Sequence, residues 1–248
     1  MLDQTQGRAI HMPANPDKFE FDTEVAEVFP DMAVRSIPNF LQAHKTHARI
    51  AEALMFSHGR LRVLDAGASR GHFIQAIHSN SSHRPSIVAL DYSEAMVEHL
   101  RRDYRKGVEV RLCDMTSPDF LNSEETFDVI NASYVLQFIP LNSQDAVLRK
   151  LCNMVRPGGL LFFGAKMAVH GELGVLLQEE YIRWRMHQGY SREEIDAKTA
   201  ALKNSMWPRS HAAIEYMLAG AGMVDIAKSY VHTLFTNYVC IKAGIYYD

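Results

Sequence analysis

One stretch, Val63-Leu64-Asp65-Ala66-Gly67-Ala68-Ser69-Arg70-Gly71-His72-Phe73, limits the folds open to this chain of 248 residues. It reads as a buried strand that breaks at a glycine turn and runs straight into a helix. Val63 and Leu64 suit a parallel strand covered on both faces. Gly67 has no Cβ, so the backbone can turn there and a ligand can come close. Gly71 lets the following helix pack tightly. Such a turn leaves backbone N–H groups free at a helix N-terminus. The spacing Asp-x-Gly-x-x-x-Gly is neither G-x-G-x-x-G nor a Walker loop, and no Lys-Ser/Thr follows for a triphosphate.

The rest of the chain alternates strands with helices, as a doubly wound α/β sheet requires. Strand one is Arg62 to Ala66, and its helix starts near His72. Strand two, Ser86 to Leu90, ends in Asp91-Tyr92-Ser93, with Ser93 capping a helix over Glu94 to Tyr104. Asp91 lies roughly 25 residues beyond the first motif, where an acidic residue accepts hydrogen bonds from ribose hydroxyls. Strand three, Val108 to Leu112, leads into Cys113-Asp114-Met115. Strand four, Phe127 to Ser133, is followed by Tyr134. Ser143 is read as the cap of a helix to about Val155. Arg156-Pro157-Gly158-Gly159 reads as a tight turn before strand five, Leu160 to Ala165.

Before the glycine motif, Asp22 caps a short helix over Thr23 to Phe29 that Pro30 ends. A second helix runs from Phe40 to about Ser57. After strand five, helical pattern covers Glu172 to about His187. Ser191-Arg192-Glu193-Glu194 is a capping box for the next helix, to about Asn204. Ser210 caps a third, reaching Leu218. Val224 to Ser229 and Phe235 to Lys242 read as the last two strands. The domain reading is a flexible N-terminus over 1–18 and one domain over 19–248. Within it lie an N-terminal helical lid (19–57) and a helical insertion (170–208).

A net charge of −3 leaves no general basic footprint for nucleic acid, though a nucleic-acid acceptor stays open. The three cysteines, Cys113, Cys152 and Cys240, fit neither a disulfide framework nor a zinc site. A reduced cytoplasmic compartment is expected. No apolar run approaches the ~18 residues of a membrane span. No metal ligand set is apparent.

The glycine loop, Asp91 and Asp114-Met115 together resemble class I S-adenosylmethionine (SAM) dependent methyltransferases. That resemblance implies a Rossmann-like doubly wound sheet with an antiparallel last strand. It places Asp65, Gly67, Ala68, Ser69, Gly71, Asp91, Tyr92, Asp114, Met115 and Ser133 at the SAM. Asp114 would accept from the adenine amine and Met115 would lie against the ring. Over nearly its full length the chain is also similar to the carboxy-S-adenosylmethionine synthase family. The matching segments are Phe21-Asp22 with Val25 through Met32, Arg35-Ser36-Ile37-Pro38, Leu136-Gln137-Phe138, and Gly189-Tyr190-Ser191 with Glu194-Ile195 and Lys198. Those enzymes bind SAM, use prephenate, make carboxy-SAM for tRNA wobble-uridine modification and are dimers. A homodimer is implied here.

The chain departs from that family around the extra carboxylate. It has Phe40 for a tyrosine, Ser133 for an asparagine, and Thr199 for the arginine that pairs with the carboxylate. A hydroxyl does not replace a bidentate arginine. Arg183, Arg185, Arg192 and Arg209 are nearby in sequence and are the candidates to compensate. Four readings follow: methyl transfer to a small-molecule or nucleic-acid acceptor, carboxy-SAM synthesis with a relocated cation, intramolecular SAM chemistry releasing methylthioadenosine, and SAM binding without catalysis. The first is expected. Its candidate catalytic residues are Ser133, Tyr134 and Tyr181, with His170 and His187 as further bases. Arg35, Phe40 and Thr199 are the candidate substrate contacts.

Overall fold

The computed structural model describes residues 20–58, 60–80 and 84–244. The reading of 1–18 as a flexible terminus therefore falls outside the described residues. Seven strands make one sheet: β1 (Arg62–Ala66), β2 (Ser86–Asp91), β3 (Val108–Leu112), β4 (Phe127–Ser133), β5 (Val155–Lys166), β6 (Met223–His232) and β7 (Phe235–Lys242). Their order is β3-β2-β1-β4-β5-β7-β6. The first five pair in parallel, and β7 runs antiparallel to both its neighbours. The predicted sheet, with its antiparallel ending, is the one observed.

Alternation along the strands explains the near-continuous apolar runs. Val63, Ile87, Val129 and Phe162 face one layer, where they pack with Ala51, Phe73 and Ile77. Leu64, Val88, Ile130 and Leu161 face the other, with Leu148, Leu151 and Leu218. The helices that supply these partners are α2 (Phe40–His58), α3 (His72–Asn80), α6 (Leu141–Met154) and α9 (His211–Gly220). The strand order reverses between β1 and β4, so the carboxyl ends of these two strands border a crevice suited to a ligand. Between them in sequence lie α4 (Glu94–Asp103) and a single turn, α5 (Pro118–Leu121).

β6 runs past the expected Ser229 to His232, and three further features differ from the sequence reading. The first helix, α1 (Thr23–Ser36), runs through Pro30 instead of ending there. Proline cannot donate to the carbonyl one turn back. That carbonyl, Ala26 O, accepts instead from Arg70 Nη1 at 2.7 Å. Asp22 does cap the helix, accepting from Val25 N at 2.8 Å. Second, Ser143 is not the cap of α6; Pro140 holds that position, and Ser143 lies inside the helix. Third, Arg156–Gly159 belongs to β5. Val155 pairs with Phe127 before this segment and Leu160 with Val129 after it, so the extra residues form a bulge within the strand. The insertion folds as α7 (Gly171–His187) and α8 (Arg192–Leu202), the latter with both hydrogen bonds of the expected capping box.

Candidate active site

A cavity of about 790 Å³ lies at the carboxyl ends of β1 to β4 and extends under α1, α7 and α8. That volume suits a drug-sized ligand with room beside it. Its lining is polarised. Glu20, Asp91 and Asp114 gather around Tyr92 with Asp65 beside Asp91, while Lys166 and Lys198 gather around Arg185.

The glycine loop forms the acidic part, but not as a free N–H cradle. Gly67 and Ala68 both donate to Leu90 O at 2.8 Å, and Ser69 N donates to Asp91 Oδ2 at 2.8 Å. With its N–H groups used internally, the loop suits a ligand without phosphate. Gly67 has φ +73°, and a Cβ there would lie 2.6 Å from Val135 Cγ2. Its missing side chain makes room for Val135, and Gly67 itself lies on the cavity wall. Gly71 lies off the cavity wall, packed against the Tyr104 ring at the end of α4.

Asp65 is buried (2% exposed). Its Oδ1 accepts from Asn131 Nδ2 at 2.7 Å, while Oδ2 has no partner among the described residues. Burial pushes its carboxyl up to about 7, partly offset by the Asn131 hydrogen bond. A half-satisfied buried carboxylate fits a ligand that brings an ammonium group. Ser133 Oγ donates to Asn131 Oδ1 at 2.7 Å, so Ser133, Asn131 and Asp65 form one chain of hydrogen bonds. Asn131 was not singled out in the sequence. Its pairing with Asp65 in register across β1 and β4 is the signal that finds it.

Asp91 is raised by burial and held back by backbone N–H donors from Ser93, Ser69 and Tyr92. Tyr92 is exposed at the rim, edge-on to Phe21. Asp114 accepts from the backbone and hydroxyl of Thr116, both at 2.8 Å, and buried Met115 follows it on the wall. The expected cofactor positions other than Gly71 thus meet on one surface.

Beyond Ser133 the wall turns aromatic. Tyr134 sits at φ +65°, and its hydroxyl accepts from Asn237 Nδ2 at 2.9 Å. Its ring lies 5.6 Å from Phe40 and 6.4 Å from Phe235. Tyr181 donates to Ser36 O at 2.7 Å. Burial drives both phenols up, Tyr181 to about 12, so both stay protonated and neither is a phenolate base at neutral pH. His170 and His187 sit exposed at the ends of α7, away from the cavity.

Two histidines given no role at the site in the sequence analysis do line it, His44 and His72. Their rings stack 6.3 Å apart, with Phe40 4.7 Å from His44 and 4.9 Å from His72. Burial holds His44 well below the usual imidazole value, and burial with Arg70 lowers His72 to about 4, so both are neutral at neutral pH. The i, i+4 spacing of Phe40 and His44 on the buried face of α2 is the signal for the first of them.

The expected substrate contacts separate. Phe40 is on the wall. Arg35 pairs with Asp31 and lies over the Tyr190 ring at 4.5 Å, outside the lining. Thr199 lines the edge, where its hydroxyl donates to Ile195 O at 2.7 Å. Of the four candidate arginines, Arg192 pairs with Asp196 and Arg209 with Asp145, and Arg183 is exposed. Arg185 lines the cavity, buried to 4% exposed.

Among the described residues no cluster of His, Cys, Asp or Glu is placed to hold a metal ion, and no helix is long and apolar enough to cross a membrane. A family profile described as "Methyltransferase domain" matches residues 63–159. The carboxy-S-adenosyl-L-methionine synthase of Helicobacter hepaticus is 33% identical over 215 residues, covering 84% of this chain and 88% of its own. In structure, the chain is similar to an O-methyltransferase family protein from Burkholderia thailandensis, with TM-score 0.65 and 13% identity over 94% of this chain and 66% of that one. It is also similar to magnesium protoporphyrin IX methyltransferase from Synechocystis PCC 6803 with bound SAH (TM-score 0.57, 14% identity, 90% and 96% covered). At these identities the structural likenesses speak for the fold alone.

Proposed function

Because the chain belongs to the carboxy-S-adenosyl-L-methionine synthase family, on the class I SAM-dependent methyltransferase fold, we propose that it acts on a small molecule bound beside SAM in the cavity described above. It is a SAM-dependent transferase. The reading rests on one observation: the wall continues without a break from Asp65 and Asp91 to a second, aromatic part beyond Ser133 and Tyr134. We assign Asp65 to the ammonium of SAM, Asp91 and Tyr92 to its ribose, and Asp114 with Met115 to its adenine.

Transfer of the methyl group to a small-molecule acceptor is the first reading. SAM supplies an activated methyl on a sulfonium when bound. The protein's part is then orientation and exclusion of water. Ser133, Asn131 and Asp65 form one hydrogen-bonded unit, so the end of β4 and the glycine loop hold a fixed relation. Phe40, Tyr134, His44 and His72 give this region a surface without formal charge at neutral pH. The absence of the family's tyrosine, asparagine and arginine at positions 40, 133 and 199 favours this reading.

Carboxy-SAM synthesis is the second reading. The cations Lys166, Arg185 and Lys198 on the same cavity wall favour it, because they offset the charge missing at Thr199. Mass spectrometry of the protein incubated with SAM, alone and with prephenate, separates the readings. Carboxy-SAM formed only with prephenate establishes the second. Intact SAM in both, with methylated product from a panel of small acceptors, establishes the first. Methylthioadenosine above the background of spontaneous decay would displace both in favour of intramolecular chemistry.

A further inference from the structure

The geometry points to an acid-binding subsite formed by Arg185, Lys198 and Lys166, which takes the carboxylate or phosphate group of the second substrate. This rests on the reading that a small molecule enters the aromatic part of the cavity, and it holds whichever unit is transferred. Three elements converge on the subsite. Lys166 ends β5, Arg185 comes from α7, and Lys198 from α8. All three side chains line the cavity.

What marks the cluster is the lack of counter-charge. Arg185 is buried, and its Nε and Nη2 have no hydrogen-bond partner among the described residues. No ion pair to Arg185, Lys198 or Lys166 is formed among those residues. Their company is aromatic. The Tyr190 ring lies 4.9 Å from the Arg185 guanidinium and 5.5 Å from Lys198 Nζ, and Tyr181 lies 4.7 Å from Lys166 Nζ. The charged and titratable groups around the cluster are Arg35 with its partner Asp31 from α1, Tyr181 from α7, and Tyr190 from the α7–α8 turn. The one carboxylate among them is already paired.

An unpartnered buried guanidinium is costly unless a ligand completes it. The ligand group must be anionic and flat or tetrahedral enough to meet a guanidinium fork. The organic part beyond it meets Phe40, Tyr134, Phe235 and Trp207 on the cavity wall. The methionine half of SAM is the competing source of a carboxylate. The sheet argues against it: Lys166 is two strands away from Asp65, which is about 10 Å by strand spacing alone.

Burial and its cationic neighbours lower Lys198 to about 7 and Lys166 to about 8. Binding an acid there draws a proton onto whichever lysine is neutral. The test is calorimetry on protein saturated with S-adenosylhomocysteine, using 3-phenylpropanoate, phenyl phosphate and the neutral 3-phenylpropanamide. Each titration is run at pH 8 in two buffers of different ionisation enthalpy. Wild-type protein is expected to bind at least one acid, to take up a fraction of a proton on doing so, and to reject the amide. Arg185→Met and Lys198→Met are each expected to weaken the acid at least tenfold, with Arg185→Lys intermediate and S-adenosylhomocysteine affinity unchanged. Proton uptake falls in Lys198→Met, leaving only the share that Lys166 takes up.

Equal binding of acid and amide, or unchanged acid affinity in Lys198→Met, overturns the subsite. So does a parallel loss of S-adenosylhomocysteine affinity, which would assign the cluster to the cofactor's own carboxylate. If Arg185→Met does not fold, Lys198→Met and the proton count decide alone. Failure of wild-type protein to bind S-adenosylhomocysteine would count against the SAM site instead. The acid titrations, repeated without it, would still test the subsite.

Discussion

Asn131 donates its side-chain amide to Asp65 Oδ1 at 2.7 Å, across the paired strands β1 and β4. The other carboxylate oxygen is left without a partner among the described residues. Burial raises Asp65 to about 7, so the ligand-free protein holds a proton there that the unfolded chain releases. A raised acid contributes stability below its unfolded value, and this is lost as pH rises from about 4 through about 7. Asp65→Asn should flatten that slope in urea unfolding and weaken SAM at least about tenfold. Wild-type SAM affinity should rise between pH 6 and 8 as the carboxylate ionises. An affinity independent of pH would remove the ammonium assignment.

Asp91 accepts backbone N–H groups from both Ser69 and Ser93, which ties the glycine loop to the start of α4. Asp91→Ala should abolish measurable SAM binding by calorimetry, through loss of the ribose contact and of the loop anchor. Asp91→Asn, which keeps an acceptor oxygen, should retain part of it. Full affinity in the alanine variant would mean that the ribose lies elsewhere.

Lys198 carries the opposite sign. Its ammonium is depressed to about 7, so the unfolded chain binds a proton that the folded chain lacks between about pH 7 and 10. Stability of the ligand-free protein should therefore rise across that window. Replacing the lysine by methionine should stabilise the ligand-free protein at pH 6 by ~1–3 kcal/mol and reduce the slope. Chemical denaturation at several pH values measures both, and a destabilised variant with an unchanged slope would contradict the burial of an unpaired cation.

Arg70 supplies the hydrogen bond that Pro30 cannot. Arg70→Ala should leave Ala26 O without its donor and cost ~1–3 kcal/mol. Hydrogen exchange should speed up in α1 while the amides of β4 keep their protection. Loss of protection throughout the sheet would show that the contact is not local.

Thr199 lines the cavity next to Lys198, with its hydroxyl turned back to Ile195 O. Thr199→Arg combined with Ser133→Asn and Phe40→Tyr should raise carboxy-SAM affinity about tenfold or more by restoring a charged fork. Calorimetry with carboxy-SAM checks this. Unchanged affinity would mean that these three positions do not surround the carboxylate in this chain.

The local signals in the sequence carried well. β1 falls where its apolar run stands and β3 where valine and leucine alternate with charged residues, and the caps at Asp22, Ser93, Ser191 and Ser210 form with their own downstream amides. What stayed hidden depends on partners far along the chain. Pro30 ends a helix in isolation, but the carbonyl it leaves without a donor, Ala26 O, is met by Arg70, 44 residues further along the chain. Arg156–Gly159 looks like a turn until Phe127 and Val129 pair on either side of it. Arg185 could be named as one of four arginines, but only the packing of α7 puts it on the cavity wall. Asn131, His44 and Lys166 carry no motif, because each acquires its role from a neighbouring element.

Tyr190 has a consequence for how the pocket exchanges its occupants. Its ring meets three cationic side chains, Arg35, Arg185 and Lys198, at 4.5, 4.9 and 5.5 Å. A ring attracts cations with no ionic bond to break and no site to vacate. An internal glutamate in its place would act as a resident competitor, which every incoming acid would first have to displace. With aromatic rings beside them among the described residues, Arg185 and Lys198 stay open to negative charge. Selectivity among acids is then left to the shape of the wall, and release of the spent acid meets no rival for the site.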